Sequence, residues 1–180
     1  NRRISACLPM HTFGHVTQIE KIERICSLFN INLIEDAAES LGSFFKGKHT
    51  GNFGKVSATS FNGNKIITSG GGGMILTNDE ELGLKAKHIT TTAKIPSLWS
   101  YDHDQIGYNY RLPNLNAALG VAQMEMLPEF LKSKRDIASK YQNWGKDNGV
   151  MFVSEHANCS SNYWLNCVVT ENENNRDLML

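Results

Sequence analysis

Residues 31–36 read Ile31-Asn32-Leu33-Ile34-Glu35-Asp36, a short apolar and β-branched run that finishes on two acids. Such a run predicts a buried strand, because a strand covered on both faces loses the alternation of a half-exposed one. Just upstream, Ile19, Ile22, Ile25, Cys26 and Phe29 recur at intervals of three and four. That stripe predicts an amphipathic helix over about 17–29, which Asn30 would end. A helix feeding a strand is α/β order. Open α/β sheets bind ligands beyond the carboxyl ends of their strands, so Asp36 stands where chemistry is usually placed.

Working outward, residues 42–54 are rich in Gly, Lys and small polar side chains and predict a loop or hairpin. Short strands are expected at Val56–Phe61 and Met74–Thr77, with Asn62-Gly63-Asn64-Lys65 and then Gly70–Gly73 between them. Asn78 and Glu81 form a capping-box-like pair that predicts a helix to about His88. Residues 90–113 carry no period. A helical stretch from Asn114, with Leu115, Ala118, Leu119, Ala122 and Met126 in register as core or subunit contact, should break at Pro128. A second helical segment is expected over about 129–144, closed by Gly149. Met151–Val153 and Tyr163–Thr170 then predict strands of a second, smaller unit. Residues 1–127 are thus expected to form part of a large domain, and 128–180 a connecting helix and the beginning of a small one.

The 180 residues include 18 basic and 18 acidic side chains, a formal net charge of zero, and 41% hydrophobic residues. That balance is ordinary for a globular protein and supplies no field to attract nucleic acid or an anionic membrane. No stretch approaches the roughly 18–20 apolar residues of a membrane-spanning helix, and no signal-peptide core precedes the first elements. The expectation is a cytoplasmic protein without nucleic-acid or membrane partners. Cys7, Cys26, Cys159 and Cys167 lack metal-site spacing and read as reduced packing residues. Asn158-Cys159-Ser160 matches a glycosylation pattern too short to carry weight. The first residues, Asn1-Arg2-Arg3-Ile4, lack an initiator Met and the last follow an apolar run, so the chain reads as an internal piece of a longer one.

Three motifs fail on inspection. Gly42-Ser43-Phe44-Phe45-Lys46-Gly47-Lys48 begins like a phosphate-binding loop, but His49 stands where a hydroxyl must reach magnesium. Gly70–Gly73 lacks the G-x-G-x-x-G spacing and the acid that follows it in dinucleotide folds. His11 and His15 are spaced i, i+4 without the Glu of a metalloprotease and read as loop histidines; no metal is expected. What remains is an acid after one buried strand, a Ser and a Lys after another, and a glycine cluster. A pyridoxal phosphate site needs such parts: an amine for the Schiff base, an acid for the pyridine nitrogen, and donors for the phosphate.

The ordered motifs Pro9–His15, Ile34-Glu35-Asp36-Ala37-Ala38-Glu39-Ser40-Leu41-Gly42, Lys46–Lys48, Ser60–Lys65, Gly71–Gly73 and Gly107-Tyr108-Asn109-Tyr110-Arg111 resemble the DegT/DnrJ/EryC1/StrS sugar aminotransferases. The resemblance covers residues 9 to about 145. It implies the three-layer α/β/α large domain of fold type I pyridoxal phosphate enzymes, with the start of a smaller C-terminal α/β domain. Asn62-Gly63-Asn64-Lys65-Ile66-Ile67-Thr68 resembles the branch acting on nucleotide-linked amino sugars of the bacillosamine and legionaminic acid type.

By that resemblance, Lys65 is the lysine that bonds the cofactor and later shuttles the proton, a task needing a neutral amine. Asp36 pairs with the pyridinium nitrogen, Ala38 lies flat against the ring, and Ser60 binds the phosphate. Asn109 reaches the phosphate of a neighbouring subunit, which implies a homodimer with shared sites. The family often has Gln or His where this chain has Glu39, beside the ring's phenolic oxygen; a carboxylate there would repel a phenolate unless protonated or paired. Many members also carry a His-Gly where this chain reads Ile89–Lys94. The implied reaction takes an amino group from an amino acid donor, usually glutamate, to a keto group of a nucleotide-linked deoxysugar. The fold also serves sugar dehydratases, in which His replaces the lysine, so Lys65 argues against that chemistry; a non-catalytic, regulatory member is the remaining alternative.

Overall fold

The computed structural model describes residues 2–180. Its central sheet has four strands in the order β1 (Ala6–Cys7), β2 (Asn32–Asp36), β5 (Val56–Ser60) and β6 (Gly73–Leu76). β1, β2 and β5 are parallel, and β6 returns antiparallel to β5. The helix α1 (Ile19–Leu28) packs against this sheet through Ile19 and Cys26, which form a buried core with Val16 and Leu33. Each such side chain contributes about 1.5–3 kcal/mol by leaving water. Asn30 ends the helix in a left-handed conformation (φ 50°), which Asn adopts at low cost.

The stretch that begins like a phosphate loop is a β-hairpin. β3 (Phe44–Phe45) and β4 (Lys48–His49) pair antiparallel around Lys46 and Gly47, both at positive φ as a two-residue hairpin turn requires. His49 Nε2 accepts a hydrogen bond from the Gly42 amide at 2.8 Å, so the would-be phosphate residues satisfy one another.

Later elements depart from expectation in four places. The helix α2 (Glu80–Thr90) is capped by Asp79, not Asn78: its Oδ1 accepts from the Leu82 amide at 3.1 Å. A carboxylate is the better acceptor at the positive end of a helix. α3 (Asn114–Glu125) buries none of its residues among those described, and α4 (Leu127–Asn148) takes Pro128 into its first turn as its second residue, where no intrahelical partner for an amide is lost. Gly149 closes α4 at φ 69°. Tyr163 sits at φ 47° and cannot continue a strand; only β9 (Val168–Val169) of the expected run pairs, with β7 (Met151–Phe152). Instead β8 (Cys159–Ser160) joins the β3–β4 hairpin through β3, and α5 (Glu173–Met179) follows, capped by Asn172. Among the described residues no helix is long and apolar enough to cross a membrane.

Candidate functional site

The two parallel strands β2 and β5 set the site. Their register puts Asp36 opposite Ala58, and the Ala37 amide donates to the Ala58 carbonyl at 2.9 Å, so both chains leave the sheet side by side. Asp36 Oδ1 then accepts from the Ala38 amide at 3.1 Å, bending the chain at once. After β5, Ser60 Oγ accepts from the Asn62 amide at 3.3 Å and the Lys65 amide donates to the Asn62 carbonyl at 3.1 Å, closing a tight turn. These two turns make one crevice lined by Ala38, Glu39, Ser60 and Lys65.

Lys65 is not a surface lysine: its side chain is 13% exposed, and Nζ lies 3.9 Å from Glu39 Oε1. Glu39 Oε2 accepts from the Phe13 amide at 2.6 Å. The Glu39 carboxylate is thus paired with one backbone amide and faces one amine. Lys65 Nζ also lies 3.9 Å from the centroid of the Trp164 ring. No feature of the sequence pointed to Trp164, which arrives from a segment 99 residues later.

Behind β2 lies a second arrangement that sequence reasoning passed over. His11 is wholly buried, and its Nε2 lies 3.0 Å from Glu35 Oε2. The Thr17 amide donates to Nδ1 at 3.3 Å, which assigns the ring proton to Nε2 as donor to Glu35. Glu35 also accepts from the amides of Gly51, Phe53 and Gly54. Burial alone would raise its pKa; the hydrogen bonds from His11, Gly54 and Gly51 outweigh it and hold the carboxyl below its ordinary range. Successive strand residues face opposite sides, so Glu35 anchors the 51–54 loop while Asp36 faces away from it. The His11 amide donates to the Asp36 carbonyl at 3.1 Å, tying the pair to the strand end. His11 does lie in a loop, but it is buried and paired, which the spacing of His11 and His15 did not suggest. The signal available was the acid beside Asp36, which an α/β strand end would bury on its other face.

Asn109 stands apart from the crevice, exposed and bridged to Thr91. A cavity of about 790 Å³ also lies elsewhere, between β6, α2 and residues 110–116. Its only charged lining residues are Lys87 and Arg111, and none of Asp36, Glu39, Ser60 and Lys65 lines it.

A family model for the DegT/DnrJ/EryC1/StrS aminotransferase family matches residues 1–180. The chain belongs to this family. Among its relatives, EpsN of Bacillus subtilis, named as a pyridoxal phosphate-dependent aminotransferase, is 42% identical over 93% of this chain and 43% of its own. GDP-perosamine synthase of Escherichia coli O157:H7 is 37% identical over 97% of this chain and 48% of its own. A solved DegT DnrJ EryC1 StrS aminotransferase from Brucella abortus superposes with a TM-score of 0.87 at 30% identity, over 95% of this chain and 45% of that one. Helicobacter pylori PseC, an aminotransferase of pseudaminic acid biosynthesis by its description, gives 0.91 at 25% identity over 100% and 49%. The chain spans about half the length of the relatives it matches. DegT/DnrJ/EryC1/StrS aminotransferases are pyridoxal phosphate enzymes of mixed α/β fold, the architecture described above.

Proposed function

We propose that the protein carrying this chain is a pyridoxal phosphate-dependent aminotransferase that moves an amino group, from glutamate as donor, to a keto group of a nucleotide-linked deoxysugar. The observation that carries it is the crevice at the ends of β2 and β5, where a shielded amine, an acid, a hydroxyl and a small side chain converge. The residues suit the cofactor: of those lining the crevice, Lys65 Nζ would bond it, Ala38 would leave room for a flat ring and Ser60 Oγ would donate to its phosphate, while Asp36, bonded to the Ala38 amide beside the crevice, would accept a hydrogen bond from the ring N–H and keep that nitrogen protonated. When bound, the cofactor supplies an electron sink for the carbon that loses its proton. Lys65 Nζ would take that proton and return it to the cofactor carbon on the far side of the bridging nitrogen, which requires the amine to be free of its own proton when it accepts. Glu39, held by the Phe13 amide, sets a carboxylate 3.9 Å from Nζ.

A homodimer with shared sites belongs to the same reading. Asn109 lies outside the crevice of its own chain, and Trp99, Ile106 and Leu115, around it in sequence, are 92%, 82% and 87% exposed. That apolar surface suits a second subunit. Residues 128–180, with α4 and the β7–β9 pair, are proposed as the start of the smaller domain.

The test is covalent. Borohydride should fix pyridoxal phosphate to the full-length protein at Lys65, located by peptide mass spectrometry, and Lys65→Ala should lose both the label and the visible absorbance. Label on another lysine, or an unchanged spectrum in Lys65→Ala, removes Lys65 from this role. Release of ketoglutarate from glutamate in the presence of a ketosugar nucleotide tests the transfer itself.

A further inference from the structure

Trp164 is fixed over Lys65 by bonds that leave only its ring face available. The indole Nε1–H donates to the Asn64 carbonyl at 2.6 Å, the residue just before the lysine. The Trp164 amide donates to Asn162 Oδ1 at 2.8 Å, and its carbonyl accepts from Lys134 Nζ at 3.1 Å. Asn162, wholly buried, donates through Nδ2 to the carbonyls of Glu39 and Leu41, both at 2.9 Å. One side chain therefore ties the Trp164 segment to the residue whose carboxylate also faces Lys65. Phe13, whose amide holds Glu39, has its ring 6.3 Å from the Trp164 ring.

The result is a cradle of one ring face and one carboxylate. Protonated, an amine 3.9 Å from an indole centroid is well inside the range at which a ring face attracts a cation, and a Glu39 carboxylate oxygen stands at the same distance from Nζ. A lysine has a flexible four-carbon stem, and one reaction geometry is a small part of what it can sample.

We propose that Trp164 is a positioning residue for Lys65: its indole face, together with Glu39, holds the ε-amino group at one place in the crevice whenever the amine is not bonded to the cofactor. This rests on Lys65 being the cofactor-bonding lysine. Capture of the cofactor aldehyde by the free amine would replace the C=O bond with C=N, the carbonyl oxygen leaving as water with the two amine protons, and its rate depends on how often Nζ already occupies the attacking position.

The experiment measures capture of pyridoxal phosphate by full-length apoprotein, followed by visible absorbance across pH. Rates are compared at the alkaline plateau, where the amine is neutral in every variant and the ring face acts on it only by packing and as a weak N–H acceptor, so that they report placement and not charge. Trp164→Leu should slow capture about tenfold. Trp164→Phe, which keeps a ring face but loses the Nε1 donor, should stay within about threefold of the parent. Should the Leu variant fold poorly, fluorescence answers instead: cofactor fixed at Lys65 should quench the parent's tryptophan emission, and Trp164→Phe should lose that quenched component although Trp99 and Trp144 remain. Capture by Trp164→Leu at the parental rate, equal slowing in Leu and Phe, or quenching unchanged in Trp164→Phe overturns the proposal. Failure of the parent to fix cofactor at Lys65 is a separate result and overturns the reading beneath it.

Discussion

Glu35 keeps a buried carboxylate because four donors surround it, and removing the acid would strand all four. Glu35→Ala should cost about 3–5 kcal/mol, read as a fall in the denaturant midpoint. The sign with pH follows from its depressed pKa: the stability it contributes is present above the ordinary carboxylate value of about 4.5 and is lost as pH falls through the lower folded value. Glu35→Gln should flatten that acid limb; an unchanged slope would assign it to other groups. His15 works in a higher window. Burial lowers its pKa, Glu155 partly opposes this, and neither ring nitrogen has a hydrogen-bond partner. Its neutral form is favoured in the fold, so stability should begin to fall as pH drops below the ordinary histidine value of about 6.5. His15→Phe, which can keep the edge contact to Tyr163, should abolish the loss in that window while leaving the limb below it in place.

At the scale of elements, α1, β2 and β5 were legible because each is built from contacts between near neighbours: a three-four stripe and two short β-branched or small-residue runs. Lys65 and Asp36 were legible with them, as residues that follow strands. The cap of α2 shifted by one residue because two adjacent polar side chains competed for the same amide, and the charged one won. β8 escaped notice because Cys159–Ser160 carries no strand pattern of its own; it pairs only because the hairpin edge at β3 is there to meet it. The short helical turn Thr12–Gly14 depends on a similar meeting. Gly14 has φ 90°, and a methyl group at its Cα would lie 1.7 Å from Asn162 Oδ1. Gly14→Ala should therefore cost about 1–3 kcal/mol. Since Asn162 links Glu39 to the Trp164 segment, the same variant should also slow cofactor capture. Wild-type thermal stability and capture in Gly14→Ala would show that the turn yields freely.

For the whole molecule the decisive prediction concerns sharing. If Asn109 serves the neighbouring subunit, Lys65→Ala and Asn109→Ala full-length proteins, each nearly inactive, should regain activity when refolded together. Random pairing in a symmetric dimer leaves one intact site in each mixed pair, or about a quarter of the parental activity. No recovery on mixing would place Asn109 and Lys65 in the same subunit's service. The α/β class, the strand ends that carry Asp36 and Ser60, and the position of Lys65 after a turn follow from the sequence alone, because period and punctuation act over a few residues. Only the tertiary structure decided what surrounds them. His11 meets Glu35 across 24 residues, and Trp164 covers Lys65 across 99, through backbone carbonyls and ring faces that leave no mark on local composition. Such contacts exist once the sheet has brought distant segments together, and their partners are chosen by geometry and desolvation, which no local pattern encodes.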